Sequence, residues 1–253
     1  AIGVVWYREV LRFLRERSRI VGMVAQPLLF LFVIGNGLAA SFTPGGRSDY
    51  SYVSFMYPGI IAMSIVFTAL FAGVSVIWGR EFGFLREVLV APVPRWSVMV
   101  GKALGGTTTA VIQGLLILLL APLLDVQVSV GKFFLTLAVM VLVAFALAAM
   151  GLAIAGRMTS TEGFQMIMNF LVMPLFFLSG ALFPLNGTAQ WLQVLMRLDP
   201  LTYGVDALRH ALFAGQPEAA ALLEFPLGLD LTVIGVMGAV LIGVGAILFS
   251  RAE

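Results

Sequence analysis

Phe133 to Gly156 reads FFLTLAVMVLVAFALAAMGLAIAG, an apolar stretch without one Asp, Glu, Lys or Arg. As a helix rising 1.5 Å per residue it exceeds the roughly 18 to 20 residues needed to cross a hydrocarbon core. Five further uncharged runs accompany it: Ile20 to Gly46, Tyr50 to Gly79, Ala103 to Leu124, Gly163 to Met196 and Leu231 to Ser250. Only 11% of the 253 residues are charged, against roughly a quarter in a soluble domain. The bilayer is therefore the expected solvent, and six runs predict six spans.

The expected fold is an all-α polytopic membrane protein, one transmembrane domain over 1–253. Its spans are expected at 20–41, 53–78, 100–124, 133–156, 163–183 and 230–250. Cysteine is absent, which removes disulfides, thiolate metal sites and cysteine nucleophiles. The basic residues flank apolar runs and form no single patch, which argues against nucleic acid. No small-residue cleavage site follows the first apolar run, so that run is read as a retained span.

If spans alternate, one side collects Arg8, Arg12, Arg15, Arg17, Arg19, Arg80, Arg86, Arg95, Lys102, Arg157 and Arg251. The other collects only Arg47, Lys132, Arg197 and Arg209. Lys and Arg set orientation, so both termini are expected on the cytoplasmic side of the inner or plasma membrane. Residues 1–19 place Arg8, Arg12 and Arg15 at helical spacing, with Trp6, Val10 and Phe13 on another arc. This reads as an interfacial helix or as a plain basic anchor.

Pro184, Asn186 and Gly187 turn the chain after the fifth span. Trp191, Leu192, Leu195 and Met196 follow, and Asp199-Pro200 then supplies an N-cap with proline at the first helical position. Two short outer helices within 187–213 are expected to dip back into the outer leaflet. Gly105, Gly106, Gly151, Gly235, Gly238, Gly243 and Gly245 are read as helix-contact positions.

The segment 79–96 is the most charged internal stretch, GREFGFLREVLVAPVPRW. Arg80, Glu81, Arg86 and Glu87 ride with Phe82, Phe84, Leu85, Val88 and Leu89, and the paired prolines end the helix. It reads either as a helix lying on lipid headgroups or as a docking helix for a cytoplasmic partner.

In its motifs the chain resembles the membrane subunits of type-2 ATP-binding-cassette exporters, in the daunorubicin-resistance and nodulation-factor branch. The motifs are Tyr7-Arg8-Glu9, Arg80-Glu81 with Leu85, Pro92 and Gly101-Lys102, then Pro174, Ser179-Gly180, Phe183-Pro184, Asp199-Pro200-Leu201-Thr202-Tyr203 and Asp206-Ala207-Leu208-Arg209. The resemblance implies a coupling helix carrying Glu81, Phe84, Leu85, Arg86 and Glu87, and an interfacial helix carrying Arg8, Arg12 and Arg15. It implies an outer gate with Trp191, Asp199, Pro200 and Tyr203. It also implies two copies of a cytoplasmic ATPase subunit that bind Mg-ATP, a second permease copy in a homodimer or heterodimer, and surrounding lipid. The cargo implied is an amphipathic drug, lipid or lipid-linked glycan. No Gly-x-x-x-x-Gly-Lys-Ser/Thr loop exists, since Trp96 stands where its first glycine belongs and Ala103 follows Lys102. The chain itself is thus read as no enzyme, with no catalytic, cofactor or metal residue.

Three rivals stand beside this reading. An ion-coupled carrier places ionisable groups in the bilayer, whereas Lys102, Asp125, Lys132 and Asp230 are expected at interfaces with their charged ends snorkelling to water. A channel could be lined by Thr107, Thr108, Thr109 and Gln113 alone. An intramembrane enzyme would need a nucleophile and base at depth, and the one histidine, His210, is expected on the surface of an outer helix.

Overall fold

The structure, a computed structural model, describes residues 2–15, 22, 25–35, 37, 52–81, 94–124, 126, 128–213, 215 and 222–251. Among these residues it is made of helices joined by turns and short connections, with no strand. Helix α1 spans Ile2–Arg15. A short apolar helix, α2, covers Ala25–Ile34 and ends in a π-helical turn at Phe30–Ile34. Next come α3 (Tyr52–Leu70) and α4 (Val74–Glu81), joined by a tightened turn at Phe71–Gly73 into one rod. Helices α5 (Arg95–Leu118), α6 (Val130–Ala155) and α7 (Thr161–Leu178) follow. The chain closes with α8 (Gln190–Leu198), α9 (Pro200–Phe213) and α10 (Leu227–Arg251).

Among the described residues, four helices are long and apolar enough to cross a membrane: Tyr52–Gly79, Val130–Ala155, Thr161–Leu178 and Leu227–Leu248. Helix α5 has the length, but Lys102, the Gly105-Gly106 pair, Thr107 to Thr109 and Gln113 dilute its hydropathy. Helix α2 is described only over a stretch too short to span.

Two helix starts are closed by side chains, which satisfy backbone N–H groups left without an intrahelical partner. Ser129 Oγ accepts from Lys132 N at the start of α6, and Ser160 Oγ accepts from Gly163 N at the start of α7, where Glu162 also faces the positive end of the dipole. The hydroxyl of Tyr57 reaches across from α3 to donate to Ile117 O at 2.9 Å, within the last turn of α5.

The core forms where α3 packs among α5, α6 and α9, with Phe55, Tyr57, Ile60 and Ile65 fully buried. Between helices in lipid no hydrophobic force operates, so dispersion and close approach must hold them. Gly151 of α6 lies against the Leu70 carbonyl of α3, where an added Cβ would overlap backbone. Gly235 and Gly243 of α10 instead face open space in the chain, so the expectation that every such glycine is a contact position fails at these two. Exposed apolar stripes run along α7 (Met166, Phe170, Met173, Phe177) and α10 (Val236, Val240, Val244, Ile247). Such faces suit a hydrocarbon solvent.

Helix α9, expected as one of two outer helices dipping into the outer leaflet, packs deep against the bundle. Eleven of its residues, from Leu201 to Phe213, are buried. It plugs one end of the bundle between α3, α6 and α10.

Candidate functional site

Polar chemistry collects at the two ends of the α3–α4 rod. Phe55 at one end and Ser75 near the other are separated by roughly 30 Å at the helical rise, the thickness of a hydrocarbon core.

At the Ser75 end, α1 lies against α5. An added Cβ on Gly105 would sit 2.6 Å from Glu9 Cβ, and one on Gly101 would sit 2.8 Å from Val5 Cβ. Glycine at these two positions lets the helix backbones touch. That approach brings Glu9 Oε1 within 3.1 Å of Lys102 Nζ. Lys102 also donates to Ser75 O at 3.1 Å and Ser75 Oγ at 2.9 Å, so one ammonium ties α1, α4 and α5 together. Arg12 stacks its guanidinium 4.4 Å over the Trp78 ring, and Trp6 Nε1 donates to Thr108 Oγ1 at 2.9 Å. Lys102 is 8% exposed, so it is a buried three-way tie and not a snorkelling interfacial lysine. Arg8 and Arg15 lie on the exposed face of α1.

This joint adjoins the start of the 79–96 segment, because α4 ends at Glu81. Of the expected docking residues only the backbone of Glu81 is described; Phe84, Leu85, Arg86 and Glu87 lie outside the described residues.

At the other end, α9 begins at Pro200, and Asp199 Oδ1 accepts from Leu201 N at 2.8 Å. The second oxygen of Asp199 is buried without a hydrogen bond, and burial pushes the carboxyl up to about 7. Tyr203 donates to Arg197 O at 2.9 Å and stacks on Phe225 at 5.0 Å. Asp199, Pro200 and Tyr203 thus share one turn. Trp191 does not join them: it is 67% exposed, on the face of α8 with Val194, Leu195 and Leu198.

The residues below that turn form a polar cluster that the sequence reading did not assign. Arg209, 2% exposed, donates to the Gly180 carbonyl and lies 4.3 Å over the Phe55 ring. Burial pulls it down to about 10, still well above neutrality, so it stays charged. Asp206 accepts from Phe225 N at 2.9 Å and Glu224 N at 3.2 Å. Glu224, pushed up by burial, accepts from Leu185 N at 2.9 Å and Asn186 Nδ2 at 2.8 Å. These bonds staple the segment before α10 onto α9 and the turn after α7. Asp230, expected at an interface with its charge in water, is fully buried instead. His210, expected on the surface, is largely buried between Asp206 and Asp230. The available signal was the spacing Asp206, Arg209, His210: three polar groups at i, i+3 and i+4 on one helical face.

The family model described as ABC-2 type transporter matches residues 1–213. Inner membrane transport permease YadH of Escherichia coli strain K12 is 26% identical over 227 residues, 89% of this chain and 87% of its own length. Nodulation protein J of Rhizobium leguminosarum bv. viciae is 28% identical over 224 residues, 87% of this chain and 85% of its own.

Proposed function

Because the chain belongs to the ABC-2 type transporter family, the membrane permease component of ABC transporters, we propose that it forms the pathway of an ATP-driven exporter for an amphipathic drug, lipid or lipid-linked glycan. Permeases of this family work with a cytoplasmic ATPase subunit. The observation that carries the mechanism is the Glu9–Lys102–Ser75 tie, which makes α1, α4 and α5 one mechanical unit beside the 79–96 segment. Coupling needs a contiguous physical contact between motor and membrane helices, and a segment fused to this unit supplies it.

In this proposal six spans cross the membrane and the chain pairs as a homodimer seated on two ATPase copies, which bind Mg-ATP. Residues Glu81 to Leu89 form the coupling helix, α1 lies at the cytoplasmic interface, and α8 with α9 forms the outer gate. Phe84 and Leu85 serve as apolar anchors and Arg86 and Glu87 as charged contacts. Glu87→Arg in vesicles holding both subunits is the test, with Arg251→Glu as control. A mispaired charge in a buried contact costs roughly 2 kcal/mol or more. Transport by Glu87→Arg should fall at least about tenfold while assembly and nucleotide binding persist. Equal transport by variant and wild type, with normal assembly, removes the segment from coupling.

The buried carboxylates Asp206 and Asp230 favour one second reading, an ion-coupled carrier. Transport driven by an ion gradient in vesicles without ATPase would establish it.

A further inference from the structure

Asp206 and His210 stand one turn apart on α9, and Asp230 enters from the first turn of α10. His210 Nε2 lies 4.0 Å from Asp206 Oδ2 and 3.9 Å from Asp230 Oδ2, and one ligand atom from each residue falls within 4.8 Å of the other two. The Phe225 carbonyl is 2.8 Å from the same nitrogen. Asp230 is the anomaly. It is 0% exposed, and neither of its oxygens accepts a hydrogen bond. A buried carboxylate with no donor is costly, and this one points at an imidazole and a second carboxylate.

Asp206 and Glu224 lie beside the Arg209 guanidinium, whereas Asp230 lies beside Asp206 and His210. We propose that Asp206, His210 and Asp230 hold a divalent cation of the zinc or manganese class, which ties α9 to α10 at the outer end of the bundle. Two carboxylates and an imidazole are the donor set for such ions, and calcium or magnesium would favour oxygen alone. A tetrahedral ion with bonds of roughly 2.0 to 2.2 Å needs ligands roughly 3.4 Å apart; the two spacings from His210, 4.0 and 3.9 Å, close by about half an ångström, and the ligand atoms of Asp206 and Asp230, within 4.8 Å of each other, draw together around the ion. When the ion enters, Nε2 gives up the proton it donates to the Phe225 carbonyl and the neutral ring carries its one proton on Nδ1. The Phe225 and Glu224 amides hold Asp206 in place as an outer shell.

The chain contains one histidine and no cysteine, so binding can be read without background from other soft ligands. The untagged full chain in detergent is titrated with zinc or manganese chloride by calorimetry, and His210 is followed by its modification with diethylpyrocarbonate. One ion per chain is expected. Zinc should slow modification of His210 by about tenfold or more, and Asp230→Asn should weaken binding by about tenfold or more. Asp230→Asn is isosteric and removes no hydrogen bond; should it fail to fold, His210→Gln carries the calorimetric test. Binding equal in wild type and variant, no binding tighter than about a millimolar, or equal competition by magnesium would overturn the site.

Discussion

At the scale of single residues, two buried polar groups have opposite reasons for their stability. Lys102 is satisfied three times over, by Glu9 and by both oxygens of Ser75. Truncating one partner of a buried pair costs more than removing both, because the survivor keeps its desolvation penalty. Glu9→Ala should therefore destabilise the folded chain by about 2 to 4 kcal/mol, while Glu9→Leu combined with Lys102→Met should recover much of that loss. Thermal unfolding in nanodiscs measures both; equal loss in single and double variants would remove the tie from the stability argument. Asp199 is the reverse case, since one of its oxygens has no partner and burial holds its carboxyl near 7, above the ordinary 3.8. A raised acid makes the folded state the stronger proton binder, so the stabilisation is full below pH 3.8 and lost as pH rises through about 7. Local opening of the α8–α9 turn should grow by up to about tenfold per pH unit inside that window. Hydrogen exchange at the start of α9 reads it, and Asp199→Asn should flatten the dependence. A flat profile in the wild type would mean that Asp199 is ionised throughout.

At the scale of elements, packing distinguishes helices that look alike in composition. Gly151 and Gly235 both sit in apolar helices, yet only Gly151 meets backbone from a neighbour. Gly151→Ala should push α6 off α3 and sharply reduce the yield of folded protein. Gly235→Ala meets nothing in the chain and gains helix propensity of about 1 kcal/mol, so it should leave yield unchanged or raise it. If yields respond equally, the α3–α6 contact is looser than described here. The same contrast defines what the sequence could convey. Uncharged length marks helices directly, and Asp199-Pro200 marks the start of α9, because both are local properties of the backbone and its solvent. Burial of α9 is not local. Its face carries Asp206, Arg209 and His210, which look like surface residues until Phe55, Gly180 and Asp230 arrive from elements tens to well over a hundred residues away. Glu9 and Lys102 are likewise far apart in sequence, with a separation of 93, and periodicity within one helix cannot pair them.

At the scale of the molecule, the two polar clusters sit at opposite ends of the α3–α4 rod, and charge is divided between those ends. The α1 end carries Arg8, Arg12, Arg15 and Lys102 against Glu9, while the α9 end carries Asp199, Asp206, Glu224 and Asp230 against Arg197, Arg209 and a single histidine. Cytoplasmic loops gather Lys and Arg, so the α1 end should face the cytoplasm and the α9 end the outside. Helix α7 connects the two and gives the sharpest measurement. Ser160 is its exposed N-cap, and Gln190 is the exposed first residue of α8, beyond the turn that follows α7. Because the chain has no cysteine of its own, Ser160→Cys and Gln190→Cys each introduce one unambiguous thiol. Both side chains are exposed, and losing the Ser160 cap costs only about 1 kcal/mol, so folding should survive. A membrane-impermeant maleimide applied to intact cells should label only Gln190→Cys, and Ser160→Cys should react only once the membrane is opened. The reverse pattern would invert the molecule and place the Glu9–Lys102 tie away from the ATPase. Labelling of both from one side would mean that α7 does not cross, leaving its Met166, Phe170, Met173 and Phe177 stripe to be covered by protein and not by lipid.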